Sequence, residues 1–460
     1  MNRTGIYRVC IAFIAIIGVV FFALAVTGCN NGTTDDKKPE IRFCNACGVC
    51  GSCITSTWNG TSVNYSWYED GENPYTITTA AQLKGLANIV NGDDGRNQYD
   101  FDGEVINLNA NISLGNHLWE PIGFGETFNG TFDGNGKNII NLKVNKPEDE
   151  YIGFFGEIGS NGIVRNLNVS GTVTGQYSVG GIVGCNYGGL VENCSFSGTV
   201  TGEYFIGGIV GDNYLGTVEN CRNSGTISGL EKIGGIVGSN ITSTVKNCYN
   251  TGNISGENDV GGIAGNNYES TVENCYNRGN VSGINDIGGV AGKNQGTVKN
   301  CYNTGNVSGA ISAGARVGGV AGGNFQGTVE YCYNTGAVSG RYEVGGIVGQ
   351  NPTSGTVRNN VSLGKTVTAT TEDVARVVGQ DFSGTLTNNK ARANMTPSGT
   401  SDADGIHGES VTVTGSGTAN SSVFSGWSSS IWNIPSGNLT VGGNLPTLKG
   451  VTQNPAPKLP

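Results

Sequence analysis

Four cysteines set three residues apart, Cys44, Cys47, Cys50 and Cys53, make the densest cluster of metal-ligating side chains in the sequence. Thiolates are natural ligands of zinc and of iron–sulfur clusters, so one reading is a metal site. The other is disulfides or idle thiols, because a segment exported unfolded meets an oxidising compartment. The spacing lacks the long loop of a two-knuckle zinc site, and no cofactor is expected. Six more cysteines, Cys194, Cys221, Cys248, Cys275, Cys301 and Cys332, recur at near-constant spacing, with Leu167 one step earlier. A free Cys inside a core behaves as a small hydrophobe, so this column reads as inward packing. Cys185 stands apart.

Acid–base chemistry has little to draw on. His117 and His407 are the only histidines, neither in an HExxH pattern nor beside a nucleophile motif. Glu192, Glu219, Lys246, Glu273, Lys299, Glu330 and Arg358 form one outward column whose signs mostly alternate, a solvated ladder rather than a singular carboxylate pair. Tyr249, Tyr276, Tyr302 and Tyr333 each follow a column cysteine and are therefore expected to point outward. Four phenols about 5 Å apart make either a stacking platform for sugars or a partner, or a ladder that stabilises the sheet.

What positions these columns is a sentence of 27 residues. Its opening reads VGGIVG at Val179 and Val344, IGGIVG at Ile206 and Ile233, with variants at Val260, Ile287 and Val317. The starts are 27, 27, 27, 27, 30 and 27 residues apart, the long step enlarging one loop near Ala310–Ala315. Between openings runs a second phrase such as GTVKNCYNTGNVSG. The apolar runs are short, β-branched and punctuated by Gly and Asn, so they read as strands. A propeller blade needs about 40 residues, so a 27-residue period implies an all-β chain with one turn of a parallel β-helix per repeat. About nine rungs are expected, right-handed, their cores made continuous by stacking. Asn223, Asn250, Asn277, Asn303 and Asn334 fall on an inward column, where each amide must bond its neighbours.

The GGIVG…GTVxNCYNTGxVSG sentence resembles the GLUG repeat of bacterial surface proteins, over about residues 151–389. The resemblance implies a repeat scaffold of the kind found in large adhesins and beside the catalytic part of zinc proteases that cleave immunoglobulin A. It carries no catalytic residue to this chain, and a scaffold says little about chemistry.

The flanks complete the layout. Arg3 and Arg8 precede an apolar run over Val9–Val26, and Val26-Thr27-Gly28-Cys29 resembles a bacterial lipobox, making residues 1–28 a signal peptide and Cys29 the lipidated residue. Residues 29–57 read as a polar tether. Residues 58–150 read as an N-terminal cap, with a helix starting at the capping box Thr79-x-x-Gln82 and burying Leu83, Leu86, Ala87 and Val90. Phe128–Leu142, with its Asp-Gly and Asn-Gly pairs, reads as a hairpin. The β-helix is placed at 151–392. Residues 393–450 form a C-terminal cap whose Trp427 and Trp432 close the last rung, and 451–460 is a frayed tail.

Composition narrows the partners. Gly supplies 78 of 460 residues, only 13% are charged, and the net charge of −10 comes with no Lys/Arg cluster, so nucleic acid is an unlikely fit. The expected location is the bacterial cell envelope, outer membrane or cell surface, held by the lipid on Cys29. The expected activity is non-catalytic binding of glycans or extracellular proteins, adhesin-like in kind. A carbohydrate-active β-helix enzyme (a polysaccharide lyase or hydrolase) and a purely structural envelope protein are the alternatives.

Overall fold

One rung shows how the repeat becomes structure. The computed structural model describes residues 54–460 apart from 70–72, 96, 312–315, 353, 372, 398, 400–403 and 414–416. In it Glu231–Gly234 lies in a nine-stranded sheet, Val237–Ile241 and Thr244–Lys246 in a twenty-stranded sheet, and Tyr249–Asn250 and Ile254–Ser255 in a nineteen-stranded sheet. Each strand pairs in parallel with the same phrase one rung on: Ile233 with Val260, Val245 with Val272, Tyr249 with Tyr276, Ile254 with Val281. The chain is a parallel β-helix.

The punctuation residues make the bends. A side chain at Gly234 would strike the carbonyl of Val237, and one at Gly235 would strike the inward amide of Asn250. Only glycine fits at either place. The corner before each cysteine is turned by a left-handed residue, usually asparagine, as at Asn220 (φ 54°), Asn247 (φ 56°) and Asn274 (φ 54°).

Inside, like residues stack on like. Val, Ile and Leu fill the lumen, and the Asn column forms the expected ladder. Nδ2 of Asn223, Asn250, Asn277 and Asn303 donates to Oδ1 of the next Asn at 2.8, 2.8, 2.8 and 2.9 Å. A second inward ladder, absent from the sequence reading, links Asn186, Asn213, Asn240, Asn267 and Asn294 at 2.7–3.0 Å. It is legible afterwards as the Asn of GCNY, GDNY, GSNI and GNNY.

The cysteine column is buried as expected, but it does more than fill space. Sγ of Cys248 donates to the carbonyl of Lys246 at 3.2 Å and accepts from the N–H of Cys221 at 3.3 Å. Asn360 and Asn389 take over the column further on, and there Asn360 Oδ1 accepts from the N–H of Cys332 at 2.9 Å. The position asks for a small acceptor, not merely an apolar group.

Three expectations are corrected here. The β-helix has about eleven turns rather than nine; nine counts only the strands of the smallest of its three parallel sheets. The additional rungs lie within 58–150. There Tyr75–Ile77, Val105–Leu108 and Thr131–Asp133 stack in parallel ahead of Ile163–Arg165, with no readable period. The expected hairpin is absent: Thr131–Asp133 and Asn138–Asn145 belong to different sheets and flank a corner of one rung. Asp-Gly and Asn-Gly turn a chain without choosing between a hairpin and a solenoid corner. The helix does form, over Ala80–Asn91, with Thr79 and Gln82 bonding reciprocally and Leu83, Leu86, Ala87 and Val90 buried.

Candidate binding face

The outer side of the nineteen-stranded sheet carries the candidate residues. One register column runs Asn138, Asn168, Ser195, Arg222, Tyr249, Tyr276, Tyr302, Tyr333 and then Val361. The phenol rings stack as a ladder, with centroids 4.9, 4.9 and 4.8 Å apart and planes within 4° of parallel.

The tyrosines are not open to solvent, however. Tyr276, Tyr302 and Tyr333 are 1%, 0% and 0% exposed, and only Tyr249 is half-buried. The C-terminal segment lies along the side of the β-helix instead of closing its last rung. Trp427, Trp432, Phe424 and Leu448 pack with the three rings in a second apolar cluster. The hydroxyls of Tyr276, Tyr302 and Tyr333 donate to Thr452 O (2.5 Å), Gln453 Oε1 (2.9 Å) and Pro446 O (2.8 Å). Burial pushes all three phenols well up from their ordinary value. The tail is docked rather than frayed: Arg278 donates to Pro455 O, and Arg392 Nη1 to Pro460 O at 2.9 Å. The outward direction read from the sequence is right, and the open platform is not. A partner more than a hundred residues away leaves no mark on the repeat.

Where the cover ends, the face stays open. A groove of about 480 Å³ is lined by Asn168, Ser195, Arg222 and Tyr249 and by Ser197 and Thr251 beside them, with Asn454 of the tail at one end. Sequence reasoning missed Arg222; its signal is that it stands where later rungs carry tyrosine. It also missed Tyr187, Tyr214 and Tyr268, exposed at the end of the GCNY, GDNY and GNNY phrases.

The charged column behaves as a ladder. Lys246 pairs with Glu219, Lys299 with Glu273 at 2.9 Å, and Arg358 with Glu330 at 2.8 Å. Burial, with like charge from Glu219, pushes the Glu192 carboxyl up. A different set of acids is buried on strands of the other two sheets. Asp259 and Asp286 sit there on successive rungs, in left-handed conformations, 9% and 5% exposed. Burial pushes Asp212 and Asp259 up to about 6, and raises Asp286 against the pull of Arg316, whose Nη2 donates to it at 2.8 Å.

The remaining candidates do not converge. His117 packs edge-on to Trp58 with ring centroids 5.9 Å apart. His407 lies elsewhere, beside the backbone N–H of Arg376, and burial lowers its pKa. Cys29 and the cluster Cys44, Cys47, Cys50 and Cys53 lie outside the described residues. Among the described residues no group of three or more His, Cys, Asp or Glu is placed to hold a metal.

A profile of the GLUG motif matches residues 175–201, 203–228, 229–255, 256–282, 283–308 and 313–339. The repeats are GLUG motifs. The whole tyrosine ladder therefore stands on GLUG rungs, whereas the segment that covers it lies beyond them. A Gly-rich membrane protein of Evansella cellulosilytica is 43% identical over 122 residues, which are 25% of this chain and 14% of that protein. Halomucin of Haloquadratum walsbyi is 33% identical over 127 residues, 25% of this chain and 1% of its own length. The chain thus spans only a small part of either relative. A crystal structure of a candidate immunoglobulin A1 protease from Bacteroides ovatus covers 82% of this chain and 92% of its own, at 17% identity and a TM-score of 0.33.

Proposed function

We propose that this chain is a lipid-anchored protein of the bacterial cell envelope whose GLUG β-helix binds partners without catalysis, in the manner of an adhesin. One observation carries the reading. The outer charges of the rungs pair with each other from turn to turn, as in Glu219–Lys246, Glu273–Lys299 and Glu330–Arg358, rather than converging on one place. Binding can use such a repeated face, whereas catalysis needs a singular acid, base or metal. A Gly-rich membrane protein and halomucin among the relatives support an envelope location. The anchor rests on Cys29 and the apolar run before it. Among the described residues no helix is long and apolar enough to cross a membrane.

The carbohydrate-active enzyme remains as a second reading because of Asp259 and Asp286. Burial pushes the Asp259 carboxyl up to about 6, the direction a glycosidase general acid needs, and Asp286 lies on the next rung. The two readings separate in one assay. Purified protein is incubated with acidic and neutral polysaccharides and with extracellular proteins, and both retention and product release are measured. Retention without shortened chains supports binding. Depolymerisation that Asp259→Asn abolishes replaces it with the enzyme. For the anchor, Cys29→Ala is expected to move the protein out of the membrane fraction; unchanged fractionation contradicts a lipid on Cys29.

A further inference from the structure

We infer that the open groove ahead of the tyrosine cover is a site for an anionic glycan, one bearing carboxylate or sulfate groups; this rests on the binding reading above. Three features of the groove point to that ligand. Tyr249 ends the stack: one ring face lies on Tyr276 at 4.9 Å, the rung on its other side carries Arg222 in register, and among the described residues no aromatic ring stacks there. A half-buried ring at the end of a stack, on the wall of a groove, suits the apolar face of a sugar. Beside it, Ser197, Ser224 and Thr251 form an exposed hydroxyl row at rung spacing. Thr251 Oγ1 donates inward to Asn223 O at 3.3 Å, leaving its lone pairs to accept from ligand hydroxyls.

Arg222 decides the charge. It is exposed, it is the only charged residue lining the groove, and it has no ion-pair partner among the described residues. Among the described residues no Asp or Glu lines the groove, although the chain as a whole carries −10. A guanidinium offers a paired donor fork that matches a carboxylate or a sulfate. Two rungs on, the same face already sets an arginine beside a tyrosine, where Arg278 lies over the Tyr276 ring at 5.1 Å and donates to a carbonyl of the tail.

A peptide fits the groove less well. The strands beneath are bonded to rungs on both sides, so there is no free edge for an added strand. The peptide that does bind this face, the C-terminal segment, is held by Trp427, Trp432 and Phe424 against bare tyrosine rings. The open half presents Asn, Ser and Arg in place of those rings.

The test is calorimetric titration of the purified protein with oligogalacturonate, a sulfated oligosaccharide, a neutral cello-oligosaccharide and a proline-rich peptide. Binding of one or both anionic sugars is expected, weakening with salt, with the neutral sugar at least tenfold weaker. Whichever anionic sugar binds identifies the acid group. Arg222→Gln and Ser197→Asp are each expected to weaken it about tenfold or more. Both positions are exposed, so the fold should persist, as checked by circular dichroism. Tyr214→Ser, an exposed ring on another sheet, should change nothing. Equal affinity for the neutral sugar, or an unaffected Arg222→Gln, overturns the anionic site while leaving a binding protein. Binding of the peptide alone overturns the glycan. Binding of none of the four probes also overturns the site, whereas the wider binding reading fails only if the extracellular proteins are not retained either.

Discussion

Two ladders run side by side along the same short strands. Tyr249, Tyr276, Tyr302 and Tyr333 point out; Asn250, Asn277, Asn303 and Asn334, each the next residue, point in. The inner amides bond one another from Asn223 to Asn334, and within that run each rung repeats the residue of the rung before; beyond it the column holds Phe196 and Ser362. An odd member would leave a buried donor or acceptor unpaired. The outer rings are buried only because a segment from beyond the repeats lies over them. Where that segment stops, the outer column is free to change, and it becomes Arg222, Ser195 and Asn168. Both columns change at their ends, the inner one where the chain of amides stops and the outer one where the cover stops.

The largest expected effect lies on the covered ladder. Trp432 is 1% exposed and packs 4.8 Å from Trp427 and 5.9 Å from Tyr333. Trp432→Ala should cost about 4 kcal/mol in denaturant unfolding and loosen the cover before the rungs melt. A single transition at unchanged midpoint would mean that the cover contributes nothing.

On the inner ladder, Asn250→Leu takes one of two hydrogen bonds from Asn223 Nδ2 and from Asn277 Oδ1, removes the side-chain partner of Gly252 N–H, and crowds Gly235. A loss of about 3 kcal/mol is expected, spread over these weakened and lost bonds. Loss below about 1 kcal/mol would show that the amides do not depend on each other.

Asp259 sharpens the comparison, being outside the lumen and yet buried. Its carboxyl is pushed up to about 6 by burial, with Asp286 adding like charge and Lys293 and Lys232 opposing. The folded state therefore holds this proton more tightly than the unfolded chain does. Its contribution to stability is full below pH 4 and is lost as pH rises through about 6. Asp259→Asn should stabilise by about 2 kcal/mol at pH 7.5 and by almost nothing at pH 4, read from thermal melts. Equal shifts at the two pH values would contradict the raised carboxyl.

The smallest effect is at the thiols. Cys248 gives and takes hydrogen bonds, and Ser243 and Ser270 do the same at a corresponding corner, with Ser243 N–H donating to Ser270 Oγ at 2.9 Å. Cys248→Ser should therefore cost under about 1 kcal/mol and Cys248→Val about 1–2 kcal/mol. The reverse order would restore a purely apolar role for the column.

How much was legible follows the same division. The rungs, the Asn223–Asn334 ladder and the alternating charges were readable because the partner of each residue is its own copy 26–31 residues away. The early rungs under residue 150 were not, since their strands stack in register without sharing a phrase. The closed state of Tyr276–Tyr333 was not readable either. Trp432 could be seen to seek burial, but nothing in a periodic sequence says whether an aromatic segment covers the end of a stack or its side.

The most direct measurement is tyrosine nitration of the native protein, mapped by peptide mass spectrometry. The covered-and-open account predicts rapid modification at Tyr249, Tyr187 and Tyr214. Tyr276, Tyr302 and Tyr333 should stay unmodified until the protein is denatured, because their rings are enclosed and their phenols resist ionisation. Equal nitration along Tyr249 to Tyr333 in the folded protein would contradict it, and would return the whole ladder to the solvent.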